Sequence, residues 1–363
     1  MRAVICRRFD GIEALELGEM PEPVPGPEEV LVEVHATALS FMDTLMVAGR
    51  YQMKPALPFV PGSDAAGVVR AVGENVRHVR VGDRVACSHW FGGWAERWAV
   101  PAASVVTLPD RVGFEVGTTV RYAYGTARYA LVTRAALQPG EVVFVSGAAG
   151  GVGLAAVDVA REAGATVIAG AGSASRCDAA RQQGAAHAID CTREPVRDRL
   201  LELTGGRGVD VFFDNVGGPL FGVVSRAMAW GGRVLPIGFT SGEIPNLAMN
   251  LPLLKNYSVV GCFWGPWAAR DPQASRAADE ALFAAVAAGT LRPRVADVLP
   301  LSSFAEGLRR LVNRQVTGRL VLSVGKACDE PTSRVDDATP QAQAAASALA
   351  TRDDVGRPSA SPM

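Results

Sequence analysis

The strongest constraint in this 363-residue sequence lies near its middle. There the apolar run Val142-Val143-Phe144-Val145 leads into Ser146-Gly147-Ala148-Ala149-Gly150-Gly151-Val152-Gly153. A helical pattern follows from Val152 to Ala163. A short apolar strand that ends in small residues and opens straight into a helix reads as the start of a β-α-β unit. The spacing is A-x-G-x-x-G, with Ala148 at the first glycine position. Gly150 lets the backbone approach a diphosphate, and Gly153 lets the helix pack tightly on the strand. The helix start at Gly151 and Val152 then offers free N–H groups and a positive dipole end to phosphates. The plain alternative is an ordinary tight turn; the strand before it and the helix after it favour a dinucleotide.

The rest of the chain fits around that unit. Beyond about Val120, helical stretches alternate with apolar strands at Thr166–Ala169, Val209–Phe213, Gly232–Pro236 and Ser258–Cys262. Such runs describe strands covered on both faces, hence a parallel, doubly wound α/β sheet. The first 120 residues are β-rich instead, with short strands at Val30–Ala36, Gly67–Gly73 and Gly82–Cys87 that suggest a small barrel or sandwich. A helix is expected over Ala277–Ala288. From Ala327 onward the chain is rich in Ala, Ser, Thr, Pro and Asp, and it is expected to be disordered.

Composition excludes several classes. Hydrophobic residues make up 48% and charged residues 20%, enough apolar material for a buried core. A net charge of -1 argues against a dedicated partner among nucleic acids or anionic membranes. No stretch reaches the ~18–20 consecutive apolar residues of a membrane helix. The six cysteines are scattered without a C-x-x-C pair, which fits a reducing compartment and a cytoplasmic expectation.

The strand after the glycine-rich turn selects the dinucleotide. NAD-preferring sites place a carboxylate ~20 residues on, at that strand's end. Here the end reads Ala169-Gly170-Ala171-Gly172-Ser173-Ala174-Ser175-Arg176, with no acid before Asp178. Ser173 can donate a hydrogen bond and Arg176 supplies a forked positive charge, a pair suited to a 2′-phosphate. NADPH is therefore expected, although Arg176 also reads as a solvated helix residue.

Several further runs carry a family resemblance. They are Leu39-Ser40-Phe41-Met42-Asp43, Ala48-Gly49-Arg50-Tyr51, Leu57 to Gly67, Val81 to Val85, Asp214-Asn215-Val216-Gly217-Gly218, Ile237-Gly238-Phe239 and Gly261-Cys262-Phe263-Trp264-Gly265. With the Ala148–Gly153 turn, the chain resembles the zinc-free, zeta-crystallin-like NADPH:quinone oxidoreductases among medium-chain dehydrogenases/reductases. The resemblance implies a GroES-like catalytic domain over 1–122 and 270–326 and a Rossmann NADP-binding domain over 123–269, leaving 327–363 as the tail. It also implies a homodimer, with Ser258–Phe263 offering an edge strand.

The resemblance assigns candidate residues as well. Tyr51 falls at a pocket tyrosine that could hydrogen-bond the acceptor carbonyl or relay a proton; a partly buried loop tyrosine is the alternative. Ser40 stands where relatives commonly carry Asn, and Asp43 matches a family Asp that could equally be the N-cap of the following helix. Thr126 corresponds to a threonine near the nicotinamide, or bonds its own helix backbone. Asn215 and Gly238 sit past strand ends and could border the cofactor. Phe239, Phe263 and Trp264 could wall the pocket or simply pack in the core. Zinc-dependent relatives place Cys and a His-Glu pair where this sequence has Ser40 and Ser63-Asp64, so no catalytic metal is expected. Cys191 replaces a tyrosine that relatives often lay against the 2′-phosphate.

Without a metal to stabilise an alkoxide, hydride transfer to an electron-poor acceptor is favoured. A quinone or another conjugated carbonyl is the expected substrate. An enoyl thioester or other activated alkene is the first alternative, and an NADPH-binding protein with incidental catalysis is the second.

Overall fold

Alternation of apolar and polar side chains makes the run Glu29–Ala38 the longest strand of the first lobe and its organising element. A computed structural model describes residues 1–325; the expected disordered tail lies outside the described residues. In chain order the first lobe contains β1 (Arg2–Cys6), β2 (Leu15–Glu19), β3 (Glu29–Ala38), α1 (Phe41–Val47), β4 (Asp64–Val72), β5 (Arg84–Ser88), β6 (Arg97–Pro101) and β7 (Val105–Thr107). β3 pairs antiparallel with β4 along one edge. Its other edge is shared: β6 takes Glu29–Glu33, and a strand from far down the chain takes Ala36–Ala38. Val30, Val32 and Val34 point into an apolar core with Trp94 and Trp98.

Helix α2 (Phe114–Arg128) then carries the chain into the second lobe. This lobe runs β8 (Val142–Ser146), α3 (Gly151–Glu162), β9 (Thr166–Ala171), α4 (Ala174–Gln183), β10 (His187–Asp190), α5 (Val196–Leu203), β11 (Val209–Asp214), α6 (Gly218–Ser225), β12 (Met228–Pro236), α7 (Asn250–Lys255) and β13 (Ser258–Val259). All six strands are parallel, in the order β10-β9-β8-β11-β12-β13. This is the doubly wound sheet that the sequence pattern predicts. Successive residues point to opposite faces: Val143 and Val145 join one buried cluster, Val142 and Phe144 another. Both faces are therefore apolar and both are covered, which explains why these strands read as unbroken hydrophobic runs. Each fully buried Val or Phe contributes roughly 1.5–3 kcal/mol of transfer free energy.

The chain continues through α8 (Trp264–Arg270) and α9 (Pro272–Ala287), then returns to the first lobe with β14 (Val295–Pro300), α10 (Phe304–Val312) and β15 (Arg319–Ser323). β15 is the strand on the shared edge of β3, with β14 parallel beside it. Val120, Ala123, Tyr124 and Ala127 of α2 pack in one buried cluster with Ala66, Ala86 and Leu108 of the first lobe and Val143, Val145 and Phe213 of the second. Two local expectations change. The strand expected at Ser258–Cys262 shortens to two residues, because it has a single neighbour, β12, to pair with. The helix expected at Ala277 begins instead at Pro272, where the Asp271 carboxylate accepts the Ala274 N–H at 3.1 Å and proline occupies the first turn.

Candidate active site

Strand order reverses between β8 and β11, so a crevice opens at their C-terminal ends, the place where open α/β sheets take ligands. Polar groups lock its floor. The Ser146 hydroxyl donates to Asp214 Oδ1 at 2.6 Å and accepts the Asn215 N–H at 3.0 Å. The Val216 and Gly217 N–H groups also donate to the Asp214 carboxylate, each at 3.1 Å. Burial raises the Asp214 pKa, and those hydrogen bonds oppose the shift. Gly238 donates to the carbonyl of Asp214 at 3.2 Å, which sets it beside Asn215. Phe239 lies 38% exposed above Gly217.

The glycine-rich turn lines the next stretch. Gly147 adopts φ 61°, and Ala148 is buried with its N–H on the carbonyl of Gly170 at 3.0 Å. A side chain at Gly153 would collide with the carbonyl oxygen of Gly147, so helix and turn are in direct backbone contact. Gly150 precedes α3 in extended conformation and offers no capping side chain, leaving the first-turn N–H groups of Gly151, Val152 and Gly153 pointing at the crevice. A Cβ at Gly153 would break the close packing of turn on helix.

At the end of β9, Ser173 begins α4, its Oγ accepting the Arg176 N–H at 3.4 Å and lying 3.2 Å from the Ser175 hydroxyl. Burial and the charge of Arg314 lower the Arg176 pKa. Neither arginine has an ion-pair partner among the described residues, whereas Asp178 is paired with Arg181. Arg314 escaped sequence reasoning because nothing local marks it. Cys191 is pushed up to about 12 by burial and remains a neutral thiol.

The first lobe supplies the opposite wall. Ser40 begins α1 and forms a reciprocal capping box with Asp43: its N–H and Oγ–H donate to Oδ2 at 2.8 and 2.7 Å, and its Oγ accepts the Asp43 N–H at 3.3 Å. Asp43 is fully buried, Oδ1 has no partner, and its pKa is pushed up to about 7. Burial is the main cause, with Asp64 adding to it and the Ser40 hydrogen bonds and Arg319 opposing it. Tyr51 is half-buried, raised by burial and by the nearby Asp43 charge, and tilted against Trp90 at 6.4 Å. Trp90 meets Phe263 edge-on at 6.4 Å.

Phe263 and Trp264 diverge. Phe263 is 54% exposed, while Trp264 is 9% exposed and seated on Gly125 of α2, edge-on to Tyr122. Thr126 is half-buried one turn beyond Tyr122. Beneath them Arg319 Nη2 donates to Asp64 Oδ2 at 2.8 Å. Sequence reasoning missed Tyr122, Trp90 and Arg319; the signal for the last was an arginine opening the otherwise apolar run Arg319-Leu320-Val321-Leu322. The structure brings Ser173 beside Arg176, sets Gly238 beside Asn215, joins Ser40 to Asp43, and places Tyr51 and Phe263 against Trp90, with Trp264 seated on Gly125 next to Thr126 in the chain.

Comparison with known proteins identifies the two domains and their relatives. Residues 26–110 match the family model of the alcohol dehydrogenase GroES-like domain, and residues 151–280 that of the zinc-binding dehydrogenase. The chain is 36% identical over 325 residues to quinone oxidoreductase-like protein 2 homolog of Nematostella vectensis, covering 89% of this chain and 88% of that one. It is 32% identical over 325 residues to human quinone oxidoreductase, covering 89% and 97%. Among solved structures, Escherichia coli quinone oxidoreductase complexed with NADPH superposes with a TM-score of 0.83 at 28% identity, over 89% of this chain and all of that one. Fold and relatives agree, and the chain belongs to the quinone oxidoreductase family of oxidoreductases within the medium-chain dehydrogenases/reductases.

Proposed function

We propose that this protein is an NADPH-dependent reductase that transfers hydride to a quinone without a metal ion. The observation that carries the reading is the distribution of charge along the crevice. Arg176 at the end of β9 and Arg314, whose charge lowers the Arg176 pKa, both lack carboxylate partners among the described residues, and a buried carboxylate already committed to Arg319 lies at the reacting end.

The residues present fit the cofactor. The α3 N-terminus would hold the diphosphate, and Ser173, Arg176 and Arg314 the 2′-phosphate. Ala148, Asn215, Gly238 and Phe239 would border the middle, with Thr126, Phe263 and Trp264 toward the nicotinamide. When bound, NADPH supplies the hydride. Tyr51 would then hydrogen-bond the acceptor carbonyl, while Ser40 and Asp43 hold a proton in a water-poor pocket. The places of the zinc ligands in metal-dependent relatives are taken by Ser40, Ser63 and Asp64. Neutral hydroxyls and a carboxylate paired with arginine make a poor zinc set.

The reading extends to assembly and location. The division into a catalytic domain at 1–122 and 270–326 and a cofactor domain at 123–269 is part of it. β13 is an edge strand, and Trp230, Leu253, Leu254 and Val259 nearby are exposed. This supports a homodimer built across that edge. Among the described residues no helix is long and apolar enough to cross a membrane. The five described cysteines are free, in keeping with a cytoplasmic location.

The test is NADPH oxidation by purified protein against 1,4-quinones and enoyl thioesters. Turnover of quinones is expected. Inert quinones with reduction of crotonyl or longer enoyl thioesters would replace the reading with the alkene reductase. NADPH binding without turnover of either acceptor would leave a cofactor-binding protein.

A further inference from the structure

Strand β15 reaches both halves of the crevice within three residues. Gly318 N–H donates to the carbonyl of Ala149 at 3.0 Å, inside the glycine-rich turn, and Gly318 forms a bridge with Gly150. The carbonyl of Leu320 accepts the N–H of Leu39 at 2.9 Å, one residue before Ser40. Between them the Arg319 side chain spans the gap. Its Cδ lies so close to Gly151 that any side chain there would overlap it. Its guanidinium sits 5.5 Å from the Tyr122 ring centre and holds Asp64 at 2.8 Å.

The pair is buried, Arg319 at 6% and Asp64 at 1% exposure, yet Arg319 Nε and Asp64 Oδ1 have no partners. A buried ion pair with unpaired atoms is a poor source of stability, since desolvation offsets its attraction. Something other than stability accounts for it. Arg319 is also the positive charge common to Asp43, Asp64 and Tyr122. The groups facing Asp43 are Asp64 from β4, Tyr51 from the loop after α1, Tyr122 from α2 and Arg319 from β15.

We propose that Arg319 is a positioning residue for hydride transfer: anchored by Asp64, it fixes the start of α3 at a set offset from Ser40, Asp43 and Tyr51. The proposal rests on the hydride-transfer reading. It gives the buried pair a role that neither the capping box nor the phosphate cradle explains. Misplacing a reacting group by an ångström costs about 100-fold in rate, while cofactor affinity, set mainly by the 2′-phosphate contacts at Arg176 and Arg314 and by backbone N–H groups that the variants keep, changes little.

The experiment compares wild type, Arg319→Lys, Arg319→Met and the double variant Asp64→Asn/Arg319→Met, which leaves no unpaired buried charge. Each is assayed with 1,4-naphthoquinone, titrated with NADPH by fluorescence and tested with 4-deuterated NADPH. In Arg319→Met and in the double variant, kcat is expected to fall about 100-fold. The dissociation constant of NADPH should change less than about threefold. Arg319→Lys should recover to within about tenfold of wild type, and the isotope effect on kcat should rise as hydride transfer becomes limiting. A folded double variant with wild-type kcat overturns the proposal. So does a loss carried by NADPH affinity, which would make Arg319 a phosphate ligand. Wild-type protein inert toward naphthoquinone would defeat the quinone reading alone; the same comparison then runs with crotonyl thioester under the same criteria.

Discussion

Arg121 of α2 donates through Nε to Asp279 Oδ2 of α9 at 2.8 Å, joining two helices with both side chains at most 5% exposed. The same guanidinium donates to the carbonyl of Ser104, just before β7, so one side chain ties α2, α9 and the approach to β7 together. Burial nevertheless raises the Asp279 pKa, and its Oδ1 has no partner. The pair is therefore costly to break and cheap to replace. Asp279→Ala strands a buried guanidinium and should destabilise the protein by roughly 3–5 kcal/mol. Chemical denaturation reads this directly. The double variant Arg121→Met/Asp279→Leu should stay within about 2 kcal/mol of wild type. An Asp279→Ala protein as stable as wild type would show the pair to be idle.

The two guanidiniums at the adenosine end make a selective prediction. Arg176→Ala and Arg314→Ala should each raise the dissociation constant of NADPH by about 10- to 100-fold, the loss of a charge-assisted contact. NADH, which has no 2′-phosphate, should change by less than about twofold. Fluorescence titration with both cofactors decides; equal effects on the two would remove these residues from the phosphate role.

Asp43 makes stability depend on pH in a set direction. Its folded pKa, pushed up to about 7, lies above the unfolded value of 3.8. Between those values the folded state holds a proton that the unfolded state has lost. Stability from this group is therefore lost as pH rises from about 4 to about 7, on the order of 4 kcal/mol in total. Asp43→Asn should flatten that part of the stability profile. It should also abolish any limb near pH 7 in the kcat profile, if protonated Asp43 feeds the proton relay. A variant whose denaturation profile keeps the wild-type slope would contradict the assignment.

The exposed edge of the parallel sheet yields a test of assembly. Leu253 is 79% and Val259 46% exposed beside β12 and β13. In a dimer closed across β13, Leu253→Asp with Val259→Asp should convert the protein to monomers in sedimentation velocity. Wild-type protein that already sediments as a monomer would end the dimer proposal.

The sequence made the second lobe legible because each step there is local. Val142 to Gly153 encodes strand, turn and helix in one stretch, and Ser173 through Arg176 follows the next strand without a break. The sequence offered Asp43 as the N-cap of the first helix, whereas the structure gives that place to Ser40 and puts Asp43 in the first turn, where the two close a reciprocal cap. The crevice's other members were harder to see. The charge of Arg314 acts on Arg176, and Arg319 meets Asp64, across long spans of chain, so no window of sequence contains both partners. Phe263 and Trp264 show the same limit at short range. They are adjacent and chemically alike, yet the space beside Gly125 takes one indole and leaves the neighbouring ring in the open.

What the chain determined by itself was its local grammar: which runs are strands buried on both faces, where glycine admits a phosphate, and where no acid stands to hold a ribose. These follow from side-chain period and backbone freedom, properties of neighbours in sequence. The tertiary structure decided which charges meet and which remain unpaired. Burial strength and electrostatic coupling depend on distances that exist only once β15 has returned to the edge of β3.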